Sequence, residues 1–395
     1  MKKSILIVSS SLGMGGLEKT LINLCDNINY NKYTVDLYLF NEGKQLLPSL
    51  NKNVNLLDDS PYYSDVYNKP LGASLKNLLK KRQFSLFFYR IGHFIRIRFN
   101  KRKQTVHDFN MQKKAMLKID KNYDIAIGFE EGTASYYVAN CINAKVKSCW
   151  MHTDVKAINN NKKLDEQAFS KVDYICTVSQ NSLKSLTELY PKYTDKFRLF
   201  TLPALYDYDK LFEIAKEPNV MDKTTVNILS IGRLVELKGF QLCVGALKKL
   251  LDDGYNVKWY VAGEGDYRGN LQNLIEKYNV KENFILLGNY DNPYSLINSA
   301  TICVQPSMYE GFSLVVYEEK LFKKPVVVSN IEPFLEQITH LKNGVVVERN
   351  SLDIYKGVKS LLDDKILLEK LANTPNNKYF TKEEMIKEIE KTFTK

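Results

Sequence analysis

Between Thr301 and Ser329 the chain reads as strand, loop, helix, strand, and that order leaves few folds open. Thr301–Gln305 is a short apolar run that reads as a buried strand, stopped by Pro306 and Ser307. Glu310, Gly311, Phe312 and Ser313 follow, and a helical pattern begins at Leu314. Lys324 and Pro325 close that helix, and Val326–Ser329 reads as the next strand. A strand returning through a helix to a parallel strand is the unit of a doubly wound α/β sheet. Such sheets bind ligands beyond the carboxyl ends of their strands, where Glu310 falls, and Glu318 lies on the helix that follows. Ser313 and the amides beside it open a helix, a place suited to an anion.

The same unit recurs at the start of the chain. Ser4–Ser10 is strand-like, and Leu12-Gly13-Met14-Gly15-Gly16 is a glycine loop. Leu17, Leu21, Leu24 and Ile28 share one helix face, and Val35–Phe40 is a second strand. The loop lets backbone approach a ligand at a helix start. It lacks the G-x-G-x-x-G register, and no acidic residue ends the second strand, so a dinucleotide site is not expected. Further strands are expected at Asp124–Phe129, followed by Glu130 and Glu131, and at Val146–Met151, which puts His152 at a strand end with Asp154 nearby. His152 there is either an active group or a structural one. In the second half, Val226–Ile231 leads into Gly232-Arg233-Leu234-Val235-Glu236-Leu237-Lys238-Gly239. A guanidinium fork and an ammonium in one strand-to-helix loop suit a diphosphate. Val257–Ala262 ends in Gly263, which allows close backbone approach to a nucleotide, and Phe284–Leu287 leads to Gly288-Asn289-Tyr290.

A chain of 395 residues exceeds one core, so two domains are expected. The net charge of +11 points to an anionic partner. Residues 74–121 carry fourteen Lys and Arg against Asp108 and Asp120 alone, with Phe84, Phe87, Phe88, Ile91 and Ile95 at helical spacing. That is either an element for an anionic membrane surface or a helix packed on its domain with its charges in water. No nucleic-acid motif accompanies it, and no nucleic acid is expected. The six cysteines are scattered among apolar neighbours and read as buried free thiols of a reducing compartment. Ile5–Val8 is too short for a signal peptide, and no run reaches transmembrane length. The expected location is cytoplasmic, peripheral at the membrane face if the basic segment docks there. Asp207-Tyr208-Asp209 lies in an expected linker and reads as turn or helix-cap chemistry rather than a metal site.

Pro306-Ser307, Glu310-Gly311-Phe312, Glu318 and Lys324-Pro325-Val326 together resemble the E-x7-E signature of retaining glycosyltransferase family 4, the glycosyl transferases group 1, which have the GT-B fold. The resemblance implies two doubly wound Rossmann-like domains facing a cleft: residues 1–203 for the acceptor, 204–375 for the nucleotide-sugar, and a C-terminal helix, 376–395, crossing back to the first domain. It implies that Glu310 contacts the transferred sugar, Glu318 the ribose, and Arg233 and Lys238 the diphosphate. Gly311, Phe312, Ser313 and Leu314 form the rest of the donor loop. Gly263 and the Gly288–Tyr290 turn lie at the nucleotide and its base, His152 approaches the donor sugar, and Gly16 lines the cleft near the donor phosphate. The implied activity is metal-independent, retaining glycosyl transfer from a nucleoside-diphosphate sugar, a UDP-sugar rather than a GDP-sugar. The acceptor is a glycan or a lipid-linked one, and no cofactor is implied. A catalytically silent GT-B partner of another transferase and a sugar-nucleotide epimerase are the rivals. Incubation with donor, first alone and then with acceptor, separates the three: an epimerase converts donor alone, a transferase needs acceptor, and a silent protein does neither.

Overall fold

The computed structural model describes residues 2–13, 15–99, 105–156, 158, 161–375 and 381–394. The chain divides into two compact units, Met1–Leu205 with Phe380–Lys395, and Tyr206–Tyr379. Residues 376–380, the start of the expected C-terminal helix, lie outside the described residues.

The first unit holds a seven-stranded sheet. Its strands are β1 (Lys3–Ser9), β2 (Tyr33–Leu39), β3 (Val54–Leu56), β4 (Asn122–Gly128), β5 (Asn143–Met151), β6 (Tyr174–Thr177) and β7 (Phe197–Leu199). They lie in the order β3-β2-β1-β4-β5-β6-β7, all pairs parallel, with Ile5 level with both Val35 and Ile125. Ile5, Leu6, Ile7 and Val8 are consecutive and fully buried. A parallel sheet covered on both faces needs such continuous apolar runs. The helix Lys382–Lys391 belongs to this unit and starts with the Thr381–Glu384 capping box. Phe393 meets Tyr33 edge to face, and Tyr174 donates to the Thr394 carbonyl at 2.7 Å.

The basic segment folds as three helices, Leu71–Lys80, Phe84–Phe99 and Val106–Ala115, rather than one. Arg82, in the left-handed region at φ 54°, turns the chain between the first two.

The second unit holds six parallel strands: β8 (Val226–Ile231), β9 (Val257–Ala262), β10 (Phe284–Gly288), β11 (Ile302–Gln305), β12 (Val326–Ser329) and β13 (Val345–Val347). Their order is β10-β9-β8-β11-β12-β13. Trp259, Phe240, Leu247 and Val358 fill one face of the sheet, and Tyr260, Leu296, Val316 and Phe334 the other. Asp207 caps the helix Tyr208–Ile214 by accepting from the Lys210 amide, which gives the D-x-D a structural use. All six cysteines are free, five of them buried and Cys141 half-buried. Among the described residues no helix is long and apolar enough to cross a membrane.

Candidate functional site

Each sheet reverses its winding once, between β1 and β4 in the first and between β8 and β11 in the second. At such a reversal neighbouring strand-end loops part and leave a crevice. In the second unit four of these loops are stitched together by backbone. Gly232 N–H donates to the Ala262 carbonyl at 2.9 Å, Leu234 N–H to Glu264 at 2.8 Å, Gly263 N–H to Gly288 at 2.8 Å, and Met308 N–H to Leu237 at 2.7 Å. Gly239 sits at φ 74°, where a Cβ would collide with the Pro306 carbonyl. Gly263, at φ 146°, lies as closely on the Gly232 carbonyl. Both glycines therefore hold loop against loop.

This frame brings Lys238, from the β8 loop, against Glu310, from the β11 loop. Lys238 Nζ lies 2.6 Å from Glu310 Oε1, which also accepts from Ser307 Oγ at 2.8 Å. Ser307 is fully buried, and its own carbonyl accepts from Ser329 Oγ. Arg233, in the same β8 loop, is exposed, and its guanidinium has no hydrogen-bond or ion-pair partner among the described residues. An anion arriving at this reversal meets one open guanidinium and one ammonium already neutralised by Glu310.

The helix Leu314–Leu321 opens on Ser313, a non-glycine residue in the left-handed region at φ 52°. Its Oγ accepts from the Val316 amide, so the side chain caps its own helix. Gln337, fully buried, donates through Nε2 to the carbonyls of Phe312 and Ser313 and pins this turn from behind. Gly311 is half-buried and Phe312 buried, and Leu314 is the first helical residue. Glu318 is buried, and its Oε1 accepts from Tyr206 at 3.1 Å and from Tyr294 at 3.2 Å. Tyr290 packs against the apolar cluster around Tyr294 and Phe322. Gln337, Tyr206 and Tyr294 carry no motif in the sequence, and only the folded chain brings them here.

The β1/β4 reversal of the first unit is built differently. Gly15 and Gly16 open the helix Gly16–Asn27, and Glu18 folds back toward the loop, its carboxylate 3.5 Å from Ser11 Oγ. The half-buried Glu130 carboxylate accepts from the Ser10 amide. Burial pushes its acid up to about 7, against the Ser10 hydrogen bonds and with help from Glu131 and Glu18. Glu131 accepts from the His152 amide at 2.9 Å. The His152 ring lies against Phe129, at 4.8 Å between centroids, and its buried Nε2 has no partner among the described residues. Burial depresses the imidazolium, with Glu131 opposing. Asp154 is tied to Asn181 at 2.8 Å and Ser185 at 3.0 Å and serves to fasten the β5 loop. Glu18 thus folds onto the loop that precedes Gly16, and the strand ends of this unit carry Glu130, Glu131 and a neutral His152.

The β8 and β11 loops thus gather Arg233, Lys238 and Glu310 at the strand ends of a doubly wound sheet. Comparison with known proteins shows what the chain is similar to. Residues 212–378 match the family profile of Glycosyl transferases group 1. An uncharacterized glycosyltransferase of Methanocaldococcus jannaschii is 35% identical over 158 residues, 39% of this chain and 40% of that protein. The Campylobacter jejuni N-acetylgalactosamine-N,N'-diacetylbacillosaminyl-diphospho-undecaprenol 4-alpha-N-acetylgalactosaminyltransferase is 28% identical over 225 residues, 56% of this chain and 58% of that protein. The chain spans about 40% of the length of the first two curated relatives it matches. Among solved structures, TarM aligns with a TM-score of 0.66 and 14% identity over 100% of this chain and 99% of its own. Anabaena HepE in complex with UDP-glucose aligns at 0.64 and 14% identity, over 94% of this chain and 93% of its own. The fold is that of the GT-B glycosyltransferases, two parallel-sheet Rossmann-like α/β domains.

Proposed function

We propose that the chain is a retaining glycosyltransferase that uses a nucleoside-diphosphate sugar, a UDP-sugar before a GDP-sugar, and needs no divalent metal. The observation that carries this reading is the Lys238–Glu310 contact at 2.6 Å beside the open Arg233, at the β8/β11 reversal. When the bond from the anomeric carbon to the diphosphate breaks, negative charge grows on the leaving phosphate and positive charge on the sugar ring. Arg233 and Lys238 stabilise the first. Glu310, released as Lys238 turns to the phosphate, faces the second. The buried Glu318, held by two phenols, is the group for the ribose. The group 1 profile over residues 212–378 supports the donor reading, and the HepE structure with UDP-glucose supports the choice of base. The Campylobacter jejuni relative named for a diphospho-undecaprenol saccharide, and a Staphylococcus aureus relative named as a poly(ribitol-phosphate) alpha-N-acetylglucosaminyltransferase, support a lipid-linked or cell-surface glycan as acceptor.

Native mass spectrometry of the purified chain with a panel of UDP- and GDP-sugars tests the donor. A retained UDP-sugar is the expected result. Proton NMR of the product then reads the anomeric coupling, which should match the donor's. Failure to hold any nucleotide-sugar, or an inverted anomer, overturns the corresponding part of the reading.

A further inference from the structure

The helical hairpin of the first unit carries a surface that the donor chemistry does not use. Its inner face is settled. Leu78, Leu86, Tyr89, Met111 and Ala115 are buried together with Val66. Behind them Asp108, 2% exposed, accepts from Tyr89 at 2.9 Å and from Arg96 at 2.6 Å, and it closes a capping box with Thr105. Burial opposes ionisation of Asp108, yet these hydrogen bonds hold its acid down at about 2. The helix Phe84–Phe99 is therefore fixed in rotation by a buried ionic knot, and its outer face is set by the fold.

That outer face is apolar and uncovered. Phe84 is 55% exposed, Phe88 68% and Ile95 50%, and Leu79 of the preceding helix is 53% exposed. Positions 84, 88 and 95 follow one helix stripe. The sequence stripe is thus split by the fold, with Phe87 packed against the buried cluster and Phe84, Phe88 and Ile95 turned outward. Scattered exposed apolar residues are ordinary, but these large ones share one hairpin. The cations beside them are Lys76, Lys80 and Arg82, all exposed and without an ion-pair partner among the described residues, whereas Lys81 is spent on Asp65 at 2.7 Å. The segment from 74 to 121 holds only Asp108 and Asp120 as acids, and Asp108 faces inward. Exposed aromatic side chains and unpaired lysines and arginine on one hairpin, with a helix too short to span, match the headgroup boundary of an anionic bilayer.

We infer that the Leu71–Phe99 hairpin docks the protein on anionic lipid bilayers, with Phe84, Phe88, Ile95 and Leu79 entering the interface and Lys76, Lys80 and Arg82 pairing with lipid headgroups. The inference is independent of the donor chemistry. It holds whether or not the chain transfers sugar.

Flotation of the full chain with vesicles tests it, one set of phosphatidylcholine and one with about a third phosphatidylglycerol. Wild type should float with the anionic vesicles at low salt and detach near molar salt, where the Debye length is about 3 Å. Phe84→Ser with Phe88→Ser should weaken partitioning by at least about tenfold. Both residues face water, so circular dichroism and melting should match wild type. Lys76→Glu, Lys80→Glu and Arg82→Glu together should erase the preference for anionic over neutral vesicles, each charge near the leaflet being worth about fivefold. Wild type that stays in the soluble fraction, or a Phe84/Phe88 variant that floats as well as wild type, overturns the inference. So does light scattering that shows a dimer lost on the same phenylalanine substitutions, since a second copy is then the occupant.

Discussion

At the β8/β11 reversal the strand ends carry Arg233 and Lys238. At the β1/β4 reversal they carry Glu18, Glu130 and Glu131. Both sheets are parallel and doubly wound, and both change direction between the third and fourth strands in spatial order, so backbone topology does not separate them. The loops do. In the second unit glycines let loop lie on loop, as Gly239 on Pro306 and Gly263 on Gly232, and cations project from that rigid frame. In the first unit the helix start at Gly15 is met by the chain's own Glu18, and a carboxyl pushed up to about 7 faces the Ser10 amide. On the function proposed above, the cationic loops of the second unit suit a diphosphate, and the acidic strand ends of the first unit disfavour one. A neutral, hydroxyl-rich molecule has hydrogen-bond partners in the acidic one. One fold thus supplies two binding chemistries through the residues at its strand ends.

Removing Glu310 is the most severe way to break this contrast. Glu310→Ala should lower turnover by two decades or more, roughly 3 kcal/mol in the barrier. The same change frees Lys238 from its 2.6 Å partner, so UDP affinity measured by calorimetry should hold or rise. Normal turnover removes Glu310 from the chemistry, and a parallel loss of UDP binding makes the pair structural.

Next in size are the cations. Arg233→Ala and Lys238→Ala should each cost about 1.5–3 kcal/mol, or ten- to hundredfold in kcat/KM, as charge-assisted contacts do. EDTA should change wild-type turnover far less. Glu130→Gln, in the acidic reversal, should leave UDP affinity within about twofold. If EDTA abolishes activity while both alanine variants remain active, the phosphate site lies elsewhere.

A smaller effect is expected at His152. Its imidazole is neutral near pH 7 because burial depresses it, and its Nε2 has no partner among the described residues. His152→Ala should cost one neutral hydrogen bond, about fivefold in turnover. Turnover between pH 6 and 8 should show the same profile in wild type and variant. A break near pH 6.5 that disappears in the variant would make His152 a titrating group.

These residues were not equally readable in the chain. Arg233, Lys238, Glu310 and Ser313 sit within short strand–loop–helix stretches, where periodicity places a residue at a strand end without any long-range knowledge. The parallel sheets were legible for the same reason, since runs such as Ile5–Val8 and Val326–Val328 are buried on both faces. Gln337 was not, because it reaches Phe312 and Ser313 from the far side of β12. Tyr206 and Tyr294 meet at Glu318 across 112 and 24 residues, respectively, and no local pattern encodes that meeting. Residues 74–121 gave their charge and apolar spacing but not their rotation. Which of Phe84, Leu86, Phe88 and Tyr89 turns inward was decided by Asp108 on a neighbouring helix.

A further effect is on stability, and it separates the two units by pH. Glu319 is fully buried beneath the donor loop, with Oε1 accepting from Gln305 at 2.7 Å and Oε2 without a partner among the described residues. Burial pushes its acid up to about 8, with neighbouring Glu318 adding to the rise and Gln305 opposing it. The folded state therefore prefers the protonated form. That preference contributes fully below the ordinary carboxyl range and is lost as pH rises through 8. Lys320, buried and depressed to about 8, stays protonated in both folded and unfolded chains well below that pH and adds little slope there. Glu130 in the first unit behaves as Glu319 does, but its loss is complete near pH 7. Wild type should accordingly lose thermal stability from pH 5 upward. Glu319→Gln, which keeps an acceptor for Gln305, should flatten the curve up to pH 8 and gain on the order of 2 kcal/mol there, a few degrees in Tm. Glu130→Gln should flatten it only below about pH 7. Calorimetric scans at pH 5.5, 7 and 8 on the two variants decide the matter. Melting curves that run parallel to wild type at all three pH values would mean that neither carboxyl is held protonated by its burial.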